Sequence, residues 1–262
     1  MFVDSHCHLD RIQLDAFNHD FEQLLDQCQQ ADVEHMLCVC IDLQGYPRMR
    51  SRVEPYPEIS VSVGVHPMAD ENTGLDETLL DTLAQDDRVV AIGETGLDYY
   101  YHKGDPAWQQ QRFRQHVRCA VKHGKPLIIH TRDAADDTLG ILREENAALC
   151  GGVIHCFTES LEFAEQAMAM GFLISFSGIV TFNNADALRG VAASIPDDYL
   201  LIETDSPYLA PKPHRGKQNT PILLRHVAEM LASIRGCSVE HIAAISRQNF
   251  YRLFTPDRSV SP

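Results

Sequence analysis

The sequence predicts an α/β protein built as one single-domain TIM (β/α)8 barrel, and three observations predict it. Eight short apolar runs recur along the chain with helical patterns filling the gaps between them. Several of these runs end in His, Glu or Asp. A length of 262 residues suits one barrel of about 250 residues and leaves no room for a second domain. Strands that alternate with helices argue a parallel sheet, and eight of them argue closure.

The strand-like runs are residues 2–8, 35–41, 59–65, 89–94, 127–130, 153–157, 172–176 and 200–205. The first helix follows from Phe17, Phe21, Leu24, Leu25 and Cys28, which recur at helical spacing and form one apolar stripe. Trp108, Phe113, Val117 and Val121 mark another, with Gly124 and Pro126 as its stop signal. Further helices are expected over 133–148, 161–170, 183–193, 222–234 and 239–253, the last of them completing the outer ring. No linker, low-complexity tract or repeat interrupts this order, so residues 1–262 read as one barrel domain. The segment 255–262, with its prolines and serines, is expected to be a loosely held tail.

Composition narrows the function. Hydrophobic content of 44% and charged content of 23% are those of an ordinary globular protein. No run of about 18 apolar residues exists, so no membrane span is expected. The opening residues lack a basic segment and a long apolar core, so no signal peptide is expected. Cys38, Cys40 and Cys156 lie within apolar runs and read as buried thiols of a reducing compartment, which implies a cytoplasmic location. No coiled-coil seam is visible, and a monomer is expected. The net charge of −15 argues against an extended non-specific grip on DNA or RNA, which needs many Lys or Arg contacts to phosphate. It leaves open action on a short nucleic-acid end, because two bound divalent ions would supply four local positive charges.

The run ends carry the chemistry. Side chains alternate along a strand, so His6 and His8 share a face and can chelate one ion, while Cys7 takes the other face. Alone, such a pair reads as two polar residues at a loop entrance; four similar run ends reverse that reading. Glu94 ends the fourth run, and a carboxylate can bridge two cations through its two oxygens. His130 and His155 end the fifth and sixth runs, and each alone reads as a hydrogen-bonded strand-end histidine. Asp205 ends the eighth, where the competing reading is a turn residue before Pro207. Glu203 lies two positions earlier on the same face and is read as an orienting partner of a ligand, not a ligand itself. These donors, distant in the chain, meet only if parallel strand ends face one mouth.

The segments Asp4-Ser5-His6-Cys7-His8-Leu9-Asp10, Gly64-Val65-His66-Pro67, Gly93-Glu94-Thr95-Gly96-Leu97-Asp98-Tyr99, Ile129-His130-Thr131-Arg132, His155-Cys156-Phe157-Thr158 and Glu203-Thr204-Asp205-Ser206-Pro207 carry a resemblance. In this order they resemble the TatD family of metal-dependent hydrolases, among the amidohydrolase-like barrels. The resemblance implies a TIM barrel with two divalent metal ions (Zn, Mn or Mg) and phosphodiesterase activity, typically that of a deoxyribonuclease. It also implies that His6, His8, Glu94 and Asp205 hold the first ion, and Glu94, His130 and His155 the second. Thr95 stands where Ile is frequent in relatives, and no functional consequence is expected.

Two cations roughly 3.5–4 Å apart lower the pKa of a shared water and offset charge on an in-line transition state. Asp205 is then the expected acceptor of that water's proton, and Asp205 with Glu94 the expected catalytic pair. Arg132, two past His130, either grips phosphate or pairs with a helix. His66 either donates to a phosphate oxygen or is a turn histidine. The basic loop Lys212-Pro213-His214-Arg215-Gly216-Lys217 either guides a nucleic-acid end or is a solvated loop. Tyr99, Tyr100 and Tyr101 either stack on a terminal base or pack on the barrel. Three function classes follow: a nuclease acting at exposed or single-stranded DNA ends; a hydrolase of an amide, lactone or aminoacyl ester; and a non-catalytic metal scaffold. Many carbonyl-acting relatives bridge their metals with a carboxylated Lys, and Glu94 in that place tilts the reading toward phosphoester chemistry.

Overall fold

The computed structural model describes residues 1–71, 74–101 and 104–255. Eight strands form one sheet: β1 (Phe2–Cys7), β2 (Val33–Cys38), β3 (Ile59–Val63), β4 (Val89–Asp98), β5 (Leu127–Arg132), β6 (Gly152–Ile154), β7 (Phe172–Phe176) and β8 (Leu200–Ile202). They pair in chain order, and every pair is parallel. The circle closes just past β8, where Cys7 bridges Ser206. There His8 N donates to Ser206 O at 2.7 Å, and Asp205 N donates to His6 O at 2.9 Å. The single-domain TIM barrel expected from the sequence is the fold observed. Of the tail expected over 255–262, all but Thr255 lies outside the described residues.

The helices are α1 (Phe21–Gln30), α2 (Tyr46–Val53), α3 (Glu77–Leu83), α4 (Ala107–His123), α5 (Ala135–Glu144), α6 (Leu161–Ala169), α7 (Asp186–Ser194), α8 (Leu224–Arg235) and α9 (Val239–Phe254). Side-chain N-caps start several of them. Asp20 accepts from Glu22 N, Ser160 from Phe163 N and Ser238 from His241 N. Gly124 stops α4 in the left-handed conformation (φ 60°), which glycine adopts without steric conflict.

Both faces of the strands are covered, which is why the runs read as continuously apolar. One set of residues faces inward: Val3, Leu37, Ala91, Ile128, Val153, Leu173 and Leu201. Phe250 and Phe254 pack against this inner set, so α9 reaches across the barrel instead of only joining the outer ring. It does so where the strands begin, because Asn249 donates to Leu200 O at 2.9 Å and Phe250 packs against His35. The mouth at the opposite end is left for the site. Among the described residues, no helix is long and apolar enough to cross a membrane.

Two helices have no counterpart in the sequence reading. Only Tyr46, Met49 and Val53 are buried in α2, and only Leu80 in α3, too few to mark a stripe. Strand β4 also departs from expectation by running four residues past Glu94. A register shift between Ile92 and Thr95 bulges it at Gly93 (φ 148°), where a Cβ would stand 2.7 Å from Ile128 O. Bulges re-aim side chains, and this one sets the course of the strand at Glu94.

Candidate metal centre

All six residues expected to hold metal meet at the C-terminal mouth. His6 and His8 leave β1 on one side, with their Nε2 atoms 3.3 Å apart. Cys7 takes the other face and donates its thiol to Leu37 O. The Nδ1 of His8 lies 3.0 Å from Val39 O. A carbonyl only accepts, so Nδ1 carries the proton and Nε2 presents a lone pair to the centre. His6 Nε2 lies 3.4 Å from Glu94 Oε2 and 3.7 Å from Asp205 Oδ1, while His8 Nε2 lies 3.8 Å and 3.4 Å from the same two atoms.

The two oxygens of Glu94 face different imidazoles. Oε2 faces His6 and His8. Oε1 faces His155 Nε2 at 2.8 Å, His66 Nε2 at 3.1 Å and His130 Nδ1 at 3.3 Å. Buried carboxylates stand behind two of these rings. His130 Nε2 meets Asp98 Oδ2 at 3.1 Å, and His155 Nδ1 meets Glu203 Oε1 at 3.3 Å. Such partners fix the orientation of a ligating ring. Asp98 is itself anchored by the backbone N–H groups of Tyr100 and Tyr101, and Glu203 by Cys156 N at 2.7 Å. The place of Glu203 one layer below His155 agrees with its sequence reading. Asp98 was missed, although residues 94, 96 and 98 alternate onto one face of β4. Asp4 was missed too. It accepts from Thr204 N at 2.9 Å and Thr204 Oγ1 at 2.5 Å, clasping β1 to the segment that carries Asp205. Burial pushes its carboxyl up to about 7 against the lowering pull of those bonds.

Charge is balanced inside this cluster. Burial raises the Glu94 carboxyl, but His155, His66 and His130 outweigh it and hold it well below the usual range. Burial likewise raises Asp205, and the nearby His8, His6 and His155 bring it below its ordinary value. Burial lowers His155, yet Glu94 and Glu203 drive it well above the ordinary imidazole value.

The residues present fit a divalent cation. His155 Nε2 is buried and, among the described residues, makes no hydrogen bond, despite lying 2.8 Å from a carboxylate oxygen. Ligands that share one cation at about 2.0–2.2 Å stand roughly 3–4 Å from one another, which is the spacing found around both Glu94 oxygens. Imidazole with carboxylate suits Zn and Mn at least as well as Mg. A separate cluster of Asp81, Cys119 and His123 also gathers donor atoms. There Lys122 Nζ at 2.5 Å and His123 at 2.8 Å already neutralise Asp81.

The centre opens into a cavity of about 940 Å³ whose walls include Arg11, Tyr101, Arg132 and Tyr208. The Arg132 guanidinium stacks over Tyr100 at 3.8 Å and Tyr101 at 4.9 Å. Both tyrosines are exposed, whereas the hydroxyl of Tyr99 is tied to Asp137 at 2.7 Å and that ring packs on the barrel. The basic loop after β8 folds onto the loop after β7: Arg215 stacks over Phe182 and Lys212 bonds Asn183. His66 does not face the open mouth alone but turns to Glu94.

Behind the His66 segment lies the buried His116. It donates from Nδ1 to Arg112 O and accepts Val65 N–H at Nε2, and burial pushes it down to about 4. An unfolded histidine titrates near 6.5, so between those values the unfolded chain binds more protons. The stability tied to neutral His116 is therefore complete above pH 6.5 and is lost as pH falls toward 4, by up to about 3 kcal/mol. Urea unfolding should show wild type losing stability relative to His116→Gln between pH 7 and pH 4.5. A difference that stays constant with pH contradicts this.

A parallel barrel whose mouth gathers imidazoles and carboxylates defines a metal-dependent barrel hydrolase. The chain matches the family described as TatD-related DNase over residues 3–255 and belongs to it. It is 49% identical to the uncharacterized metal-dependent hydrolase YcfH of Escherichia coli K12, over 98% of this chain and 97% of that one. It is 34% identical to the 3'-5' ssDNA/RNA exonuclease TatD of Cronobacter sakazakii, over 93% of this chain and 95% of that one. The crystal structure of YjjV, a TatD homologue of E. coli K12, superposes with a TM-score of 0.87 at 28% identity, covering 97% of both chains.

Proposed function

We propose that this hydrolase cleaves phosphodiester bonds, acting as a deoxyribonuclease on exposed or single-stranded DNA ends. The observation that carries the reading is the division of Glu94, one oxygen toward His6 and His8 and the other toward His130 and His155. In this reading His6, His8, Glu94 and Asp205 hold one divalent cation, and Glu94, His130 and His155 hold a second, each Zn, Mn or Mg. Bound there, such a pair activates water and offsets negative charge on phosphate. Asp205 accepts the proton released as water attacks. Asp98 and Glu203 keep the His130 and His155 rings aligned. The planar fork of Arg132, held against Tyr100 and Tyr101 over the cavity, suits a phosphate of the substrate. Exposed Tyr101 and Tyr208 offer faces on which a terminal base can stack. The relative named as a single-strand exonuclease adds support for nucleic acid over a carbonyl substrate.

Purified chain supplied with Mn²⁺ or Mg²⁺ is expected to shorten an end-labelled single-stranded oligonucleotide from one end, and to stop when a chelator is added. A metal-loaded preparation that leaves DNA, RNA and simple phosphodiesters intact but opens an amide, lactone or aminoacyl ester moves the function to the carbonyl class.

A further inference from the structure

We propose that His66 is a positioning residue for Glu94, held in place by one buried face of α4, and that it neither grips substrate nor binds metal. This rests on the reading of Glu94 as a shared ligand. The ring of His66 is oriented at both nitrogens. Met68 N–H donates to Nδ1 at 3.1 Å, so Nδ1 presents its lone pair there. A neutral ring then carries its proton at Nε2. That nitrogen lies 3.1 Å from Glu94 Oε1, close enough for an N–H to steady a carboxylate by charge. With its Nε2 lone pair committed to a proton, the ring has nothing to offer a cation. With its N–H side set against Glu94, the ring is placed to steady that carboxylate and not to grip a phosphate.

The backbone around His66 is fixed by α4. His116 accepts Val65 N–H at 3.0 Å, directly before His66. Arg112 donates to Ala69 O at 3.2 Å and Asp70 O at 2.9 Å, directly after it. The two side chains are four residues apart, so they share a helix face, and both are buried. Trp108, one turn earlier, lies under the Arg112 guanidinium at 4.8 Å. Ile41 O accepts His66 N–H at 2.9 Å and ties the same segment to the residues after β2. Burying an imidazole and a guanidinium is unfavourable unless their hydrogen bonds are made, and here those bonds go to the backbone on either side of His66. The consequence falls on Glu94 Oε1. A ring nitrogen held 3.1 Å from Oε1 steadies the carboxylate plane beside His130 and His155. Partners of this kind typically change metal affinity by 10–100-fold.

The test loads the full chain with Zn²⁺ and follows its transfer to a chromophoric chelator, alongside melting of the metal-free protein and steady-state turnover of a small phosphodiester. His66→Leu should release zinc at least about tenfold more readily, with the metal-free melting temperature unchanged. Its kcat should fall while KM stays within about twofold. His66→Gln, whose amide can donate to Glu94, should recover part of the zinc affinity. His116→Leu should weaken zinc in the same direction and His116→Gln, which can still accept Val65 N–H, should not. If His66→Leu keeps wild-type zinc affinity while KM rises, His66 grips substrate and the proposal is overturned. A wild-type chain that takes up no zinc overturns the shared-ligand reading, and this proposal with it.

Discussion

Glu94→Ala is expected to empty the centre and abolish turnover together. Its two oxygens span both groups of imidazoles, contacting five histidines between 2.8 and 3.8 Å. Removing it takes away a donor from each proposed ion and leaves the neighbouring rings to repel a cation less effectively balanced by negative charge. Loss of an orienting partner alone typically gives 10–100-fold, so loss of a shared ligand should give at least about 10³-fold in rate. Metal analysis and kinetics on the same sample check this. The isosteric Glu94→Gln separates charge from shape: it should keep the fold, as judged by circular dichroism, and still lose metal. Wild-type metal content in Glu94→Ala would mean that the histidines and Asp205 suffice, and the bridging role would be wrong.

Asp205→Asn should lower turnover by about 10²–10⁴-fold, the usual contribution of a positioned proton acceptor, and leave folding nearly intact. The backbone argument favours Asn here. Asp205 sits at φ 55°, and Asn tolerates the left-handed region better than most residues. Its N–H bond to His6 O, part of the barrel closure, survives the change. An amide retains one oxygen toward His8 but accepts a proton poorly, so metal should be held more weakly, not lost. Thermal melting, metal content and kcat together check the prediction. Wild-type turnover in Asp205→Asn refutes proton transfer by this residue.

The sequence made most of this legible because a barrel strand is buried on both faces and ends at the mouth. Each of the eight apolar runs became a strand, and the polar residues at their ends came together, His6 with His8 by simple alternation. The short strands β6 and β8 stop at Ile154 and Ile202; His155 and Asp205 stand just beyond them, each still tied to the neighbouring strand by its backbone N–H. What escaped depended on information that one residue's neighbours in the chain do not hold. The bulge at Gly93 re-aims β4, and only the close approach of Ile128 reveals why glycine is needed there. Nothing in the chain around Asp98 points to His130, against which its carboxylate stands at 3.1 Å. The orientation of His66 is set by Met68 and by α4, the latter some 50 residues away in sequence. Helices α2 and α3 bury too little to leave an apolar stripe.

Counting and locating the bound ions addresses the central claim most directly. Crystals of the chain grown with Mn²⁺ or Zn²⁺ should give two anomalous peaks per molecule, one on each side of the Glu94 carboxylate. The first should lie among His6, His8 and Asp205, and the second against His130 and His155. A single peak, or ions bound away from Glu94, would contradict the account.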